Sequence, residues 1–201
     1  LGSGLGVLIV ANVSAFAVGV LMFELARREG RDEALARRAV WIVYLAPSAF
    51  VLVMGYAEAT FMTASLVVLL ALRSRHWWIA AAAGVFAGLT RPVGVLLVVP
   101  VLVEAYRMRG TAKREDYPAL AAAVAGPIVG IGAYLAWARH RSSDLLYPLN
   151  VQQASTSRGG WIDPFRAVWR AGREVTSGDH LSAGIHIVTA IALVGLIVVL
   201  W

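Results

Sequence analysis

The chain alternates between long apolar stretches and short polar breaks, and within the stretches the apolar residues are continuous rather than striped. Seven such runs are read, at residues 5–23, 39–54, 59–72, 77–89, 93–105, 118–137 and 183–201. A helix on the surface of a water-soluble domain shows an apolar stripe with polar residues opposite, whereas one that is apolar all round belongs in a core or in lipid. Three of the runs reach the roughly 20 residues that cross about 30 Å of hydrocarbon, and the other four are shorter. As a helix, 77–89 is only about 20 Å long at roughly 1.5 Å per residue, so with 93–105 it forms either two short spans or a re-entrant hairpin. Broken helices are tolerated at membrane depth where neighbouring protein or a wet cavity satisfies the freed backbone groups. That puts the Thr90-Arg91-Pro92 tip inside a protein-lined site or at its mouth. The expectation is an all-α, polytopic transmembrane bundle of about seven spans, two of them short and broken at Arg91-Pro92, forming a single integral-membrane domain over 1–201.

Composition agrees with this pattern. A hydrophobic fraction of 59% and a mean hydropathy of +0.71 lie outside the range of a soluble domain. A net charge of +6 and a pI near 10.3 would point to nucleic acid in a soluble protein, but here the cations mark topology and no nucleic-acid partner is expected. Arg27, Arg28, Arg31, Arg37 and Arg38 flank the first connection, Arg73 and Arg75 the second, and Arg107, Arg109, Lys113 and Arg114 the third. If the runs alternate in direction, these connections share one side, the cytoplasmic one by the positive-inside rule. Glu58, Arg91 and the polar segment 138–182 then face the other side.

No cysteine is present, so neither a disulfide framework nor a thiolate metal site is available. The Arg-heavy, Lys-poor, Ala-rich composition points to a high-GC bacterial source, and so to a bacterial cytoplasmic membrane with the polar site facing outward. The chain starts at Leu1 rather than Met and stops at Trp201 inside an apolar run. It is therefore expected to be a piece of a longer protein, with no signal peptide claimed or excluded. No internal repeat is evident, and the halves show no similarity that would mark a transporter of inverted repeats.

Small residues recur where helices could approach closely. Gly84 and Gly88 are four apart, as are Gly126 and Gly130, and Ala80 to Ala83 make a smooth face. Pro47, Pro100 and Pro127 are expected to kink or end helices. Within 138–182, Asp163 can cap a helix that begins at Pro164. Phe165, Val168, Trp169 and Gly172 then follow helical spacing on one side, and Arg166, Arg170 and Arg173 on the other. This reads as a short interfacial helix that anchors on membrane lipids in preference to binding substrate.

Glu58 and Arg91 each stand in a short polar break between apolar runs, Gly55-Tyr56-Ala57-Glu58-Ala59-Thr60 and Leu89-Thr90-Arg91-Pro92-Val93-Gly94. Charges near hydrocarbon cost about 2.5–3.5 kcal/mol on insertion scales and mark functional sites until a structural partner explains them. A guanidinium offers a planar fork that takes phosphate oxygens two at a time, which makes a lipid-linked phosphate the natural partner of Arg91. Its structural alternatives are tying down carbonyls at a Pro-broken helix end or pairing with Glu58. For Glu58 the alternatives are the positive end of a helix dipole, an acceptor for sugar hydroxyls, the partner of Arg91, or one ligand of a metal site. Zinc is not expected, because His76, His140, His180 and His186 contain no metal-binding pair at helical spacing. Asp144, Asp163 and Asp179 are too dispersed to read as a divalent-metal motif, although folding could bring one to the site, so no cofactor is called for and a divalent metal is left open. The Gly2-Ser3-Gly4-Leu5-Gly6 stretch lacks the strand, lysine and spacing of a phosphate loop, and no nucleophile elbow is present.

The pattern of Tyr56-x-Glu58 opening one run, followed by Gly88-Leu89-Thr90-Arg91-Pro92-x-Gly94, resembles the PIG-V family of mannosyltransferases, within the GT-C class of membrane glycosyltransferases. In that family a Tyr-Thr-Glu-Ser-like stretch and a Thr/Ser-Arg-x-x-Gly stretch occupy corresponding places. A later outer loop carries Gln, Trp and Pro, for which Gln152 or Gln153, Trp161 and Pro164 are the counterparts here. The resemblance covers roughly 39–173. It implies transfer of a sugar, mannose by family, from a polyprenyl-phosphate donor to an acceptor hydroxyl of a glycan or glycolipid on the non-cytoplasmic face. It also implies substrate binding by Tyr56, Glu58, Arg91, Gln153 and Trp161. The family's catalytic Asp lies in the first outer loop, and no residue here matches it, so the catalytic residue is unknown, is expected upstream, and this piece alone is expected to be inactive. The competing readings are a transporter or flippase for a lipid-linked or anionic substrate, with Glu58 and Arg91 lining the pathway, and a scaffold subunit with degenerate site residues.

Overall fold

Every regular element among the described residues is helical. The computed structural model describes residues 3–30, 32–110 and 113–144, and singly 147, 150 and 173. The chain divides into two compact units, Leu1–Leu145 and Leu146–Trp201, and all geometry below belongs to the first. Six α-helices follow one another in it: α1 (Ser3–Arg28), α2 (Glu33–Leu45), α3 (Glu58–Arg73), α4 (Trp77–Thr90), α5 (Val98–Met108) and α6 (Tyr117–Ser142). Short 3₁₀ turns occupy Ala49–Leu52, Pro92–Leu97 and Arg114–Asp116. The seventh apolar run and the helix expected after Asp163 lie outside the described residues.

Local chemistry explains the helix ends. Asp32 caps α2, its Oδ1 accepting from the Leu35 N–H at 2.6 Å. Pro47 follows directly on the end of α2, as a residue that cannot continue a helix should. Pro100 instead sits in the first turn of α5, where its missing N–H has no helical partner to lose. Pro127 does not end α6, which runs unbroken past it to Ser142. The helix therefore includes residues 138–142, which hydropathy alone assigns to the polar segment. Its last turn carries Arg139, His140 and Arg141, favourable at the negative end of the dipole although unfavourable in lipid.

Two helical stretches are long and apolar enough to cross a membrane, Gly4–Arg28 and Arg114–Ser142, and α4 is apolar but shorter. The outer face of α1 leaves Leu5, Ile9, Val13, Phe16 and Val20 exposed, with Phe16 at 74%. An apolar surface of this extent suits hydrocarbon better than water.

Two apolar clusters hold the unit together. The first joins Val68 and Leu72 of α3, Trp77 and Ala80 of α4, Val101 of α5 and Ala123 of α6. The second joins Ala15 of α1, Leu52 and Ala59, with Tyr44 and Met62 packed against them. α3 thus contributes its C-terminal half to one cluster and its N-terminal half to the other. Between α4 and α6 the paired glycines meet each other. A Cβ at Gly84 would lie 2.8 Å from the Pro127 ring, and one at Gly88 would lie 2.9 Å from the Ile131 nitrogen. Rising residue numbers meet rising numbers along this seam, so the two helices run parallel.

α1 and α3 also run parallel, but side-chain hydrogen bonds join them. Thr63 Oγ1 donates to the Ser14 carbonyl at 2.9 Å, and the Ser14 and Thr60 hydroxyls lie 3.3 Å apart. Asn12 donates to the Leu8 and Val53 carbonyls. Tyr44 of the antiparallel α2 donates to the Ala15 carbonyl at 2.6 Å. Among the described residues no buried side-chain nitrogen or oxygen lacks a partner, as an apolar setting demands.

At the far end of these helices, Arg73 contacts Glu29 at 2.6 Å and Glu104 at 3.6 Å, and Arg28 contacts Ser74. The first three basic connections therefore gather at one end of the unit, as strict alternation of the runs requires.

Candidate functional site

Glu58 is the first residue of α3, and Arg91 is the residue immediately after α4. Both lie at the end of the unit opposite Arg73. Pro92 denies its predecessor the helical region, so Arg91 adopts an extended backbone, with φ −150° and ψ 138°, and α4 stops there. Its N–H still closes the last helical turn on the Ala87 carbonyl at 3.1 Å, and its own carbonyl accepts from the Gly94 N–H at 2.9 Å. The 3₁₀ turn that follows folds back so tightly that a Cβ at residue 94 would lie 2.7 Å from the Ala87 carbonyl oxygen. Glycine at 94 is thus a packing requirement that fixes where Arg91 sits. On the other side Gly55, at φ +79°, supplies the left-handed turn that leads into α3.

These two turns bring the charges together. Arg91 Nη1 donates to Glu58 Oε1 at 2.6 Å, with about a third of each side chain exposed, 33% for Arg91 and 29% for Glu58. Of the alternatives open to these residues, the pairing is observed, and so is the placing of Glu58 at a helix start. Each charge is also matched to its helix. The carboxylate stands at the positive end of the α3 dipole and the guanidinium at the negative end of the α4 dipole.

The pair lines a pocket of about 410 Å³ whose remaining lining is chiefly apolar. Ile42 and Val43 of α2, Leu52, and Phe61 and Met62 of α3 supply the walls. Such a site combines a hydrocarbon surface with a cation, the complement of an amphiphile with an anionic head. A phosphate arriving there would compete with Glu58 for the guanidinium and would still face the start of α3, where anions are favoured.

Tyr56 is exposed and does not share this pocket. It lines a neighbouring one, also about 410 Å³, with Val7, Val10 and Ala11 of α1 and Thr60 of α3. The two pockets flank the Tyr56-Ala57-Glu58 segment on opposite sides. Gln153 and Trp161, together with Gln152 and Pro164, lie outside the described residues. The pocket walls on α2 and the Asn12, Ser14, Thr60 and Thr63 hydrogen bonds are not singled out by sequence reasoning. One signal was available, since Asn12 and Ser14 are the two polar side chains inside the first apolar run. Among the described residues no three His, Asp or Glu side chains gather as metal ligands would.

Compared with protein-family models, with curated proteins and with solved structures, the chain matches none.

Proposed function

We propose that this chain is a multi-pass membrane glycosyltransferase acting on a polyprenyl-phosphate sugar, with mannose the sugar by the resemblance drawn above. The observation that carries the reading is the Glu58–Arg91 pair in the lining of a chiefly apolar pocket. The isoprenoid chain lies against Ile42, Phe61 and Met62, and the phosphate lies on Arg91. In the transfer, the bond from the sugar's anomeric carbon to the phosphate oxygen breaks, and a bond to the acceptor oxygen forms on the opposite face. The acceptor's proton leaves to a base, and the phosphate keeps the electron pair. Negative charge therefore grows on the phosphate as the bond breaks, so Arg91 stabilises the transition state more than the ground state. Glu58 holds the guanidinium in place before the donor arrives, and afterwards its carboxylate is released toward the sugar hydroxyls. The basic end carrying Arg73 faces the cytoplasm and the paired charges face outward, by the positive-inside rule.

Donor binding is separable from turnover and gives the direct test. A photoreactive polyprenyl phosphate, added to the chain in nanodiscs, should label α2 and the start of α3, and unlabelled polyprenyl phosphate should compete. Arg91→Gln should reduce labelling about tenfold, the value of a lost charge-assisted contact. Labelling of that variant at the parental level would remove the basis of the proposal. In membranes expressing the complete gene, radiolabelled mannose transferred to an acceptor supports the enzyme, whereas flux of intact donor without transfer supports a transporter.

A further inference from the structure

A third pocket, a groove along the outside of the unit between α1 and α2, is lined by residues other than those of the Glu58–Arg91 and Tyr56 pockets. Its floor is the Tyr44 ring lying across Gly19. A Cβ at residue 19 would come within 3.0 Å of that ring, so the absence of a side chain lets the ring settle there. Phe16 and Phe23 of α1 and Val40 and Trp41 of α2 form the walls, enclosing about 430 Å³. Phe16 and Trp41 flank the open side, and Trp41 is 62% exposed. Arg37 stands at one end. Arg37 and Tyr44 are separated by roughly 10 Å along α2, at about 1.5 Å per residue.

The chemistry of this groove is narrow. Apart from Arg37, its side-chain polar groups are the Trp41 indole N–H and the Tyr44 hydroxyl, which already donates to the Ala15 carbonyl. A sugar or peptide would find little to bond with, whereas a linear hydrocarbon with an anionic head fits both the walls and the cation. The cation also lies where an acidic headgroup is available. Arg37 is at the basic end of the unit, beside Arg38 and near the Arg27 and Arg28 end of α1, and aromatic rings such as Trp41 favour the membrane–water boundary. Two carboxylates face this region. Glu24 is engaged by Arg27 and Arg28, and Glu33 pairs with Arg37 one turn away at 2.5 Å. Exposed pairs of that kind are weak, and a phosphate can take the guanidinium with two oxygens.

We infer that the α1–α2 groove is a binding site for an anionic phospholipid of the surrounding bilayer, its acyl chain along Phe16, Phe23 and Trp41 and its phosphate on Arg37. Basic pockets between spanning helices are suited to such headgroups. The site depends on a membrane setting but not on sugar transfer.

The test places the full chain in phosphatidylcholine vesicles that contain a minor fraction of brominated phosphatidylglycerol or, separately, brominated phosphatidylcholine. Quenching of Trp41 is read as the difference between the parent and Trp41→Phe. The anionic lipid should occupy the groove about fivefold more than the neutral one, the ratio that one basic residue near a phosphate supplies. Arg37→Gln should abolish that preference, Arg37→Lys should retain most of it, and Glu33→Gln should raise it by removing the competitor. Arg109→Gln, a cation at the same end but outside the groove, should leave it unchanged. Equal quenching by the two lipids in the parent would overturn the assignment. So would a preference that survives Arg37→Gln, or one that falls as far in Arg109→Gln, since diffuse attraction would then be the cause.

Discussion

The α4–α6 seam and the α1–α2–α3 side of the same unit are held by different forces. Along the seam, glycine, alanine and proline bring backbone against backbone, and a side chain added at Gly84 or Gly88 would strike the opposite helix. On the other side, hydroxyls and an amide bridge the helices, through Asn12, Ser14, Tyr44 and Thr63. All three apolar pockets described above open on that looser side. The difference assigns roles. Dispersion between close-packed backbones tolerates little displacement, so α4 acts as a fixed post that ends in Arg91. Side-chain hydrogen bonds can re-form after a shift, so the looser side can admit a ligand. The Glu58–Arg91 pair joins the two halves at one end.

The sharpest way to break this comparison is a methyl group in the seam. Gly88→Ala should destabilise the protein by about 3 kcal/mol, at the upper end for overpacking because the obstructing atoms are backbone. Unfolding in mixed micelles would measure it, and a cost under about 0.5 kcal/mol would mean that the seam yields as readily as the other side. The junction between the halves should respond less. Glu58→Ala leaves Arg91 without its carboxylate, and partial exposure reduces the roughly 3–5 kcal/mol of a fully buried pair to about 1–2. Glu58→Gln should recover part of that loss, since the amide oxygen can still accept. The smallest effect belongs to the looser side. Thr63→Val removes donation to Ser14 and Ala59 at a cost of about 0.6 kcal/mol, the average for such bonds between helices in membranes. If it cost as much as Gly88→Ala, the two regions would not differ in kind.

Much of the helical framework was legible in the sequence, because continuous apolar runs bounded by charge or proline leave few choices of element. The run at 77–89 corresponds to α4, the run at 59–72 to α3, and Pro92 sets the end of α4 through its effect on Arg91. The glycine pairs were legible as packing positions, but their partners were not, since a single sequence carries spacing along a helix and nothing about which helix lies opposite. The 3₁₀ turn at Pro92–Leu97 was hidden for a related reason. An apolar stretch looks the same whether its backbone bonds close at three residues or four. The extension of α6 through Ser142 was missed because hydropathy detects lipid contact, whereas Arg139 and Arg141 continue a helix without difficulty. At the site, Glu58 and Arg91 stood out by their isolation. The division of Tyr56 and Glu58 between two pockets is a matter of side-chain direction at a helix start, which composition does not record.

The length of α3 has a consequence for any ligand of the charged pair. Its 16 residues rise about 24 Å, several ångströms short of the roughly 30 Å of a bilayer's hydrocarbon. On the proposed membrane reading, with the Arg73 rim seated at one boundary, Glu58 and Arg91 would lie below the other. In that setting the bilayer would thin there, or a lipid headgroup would be drawn down from its own level to reach them. The shortness of α3 would then act as a selector, admitting amphiphiles whose head tolerates that descent.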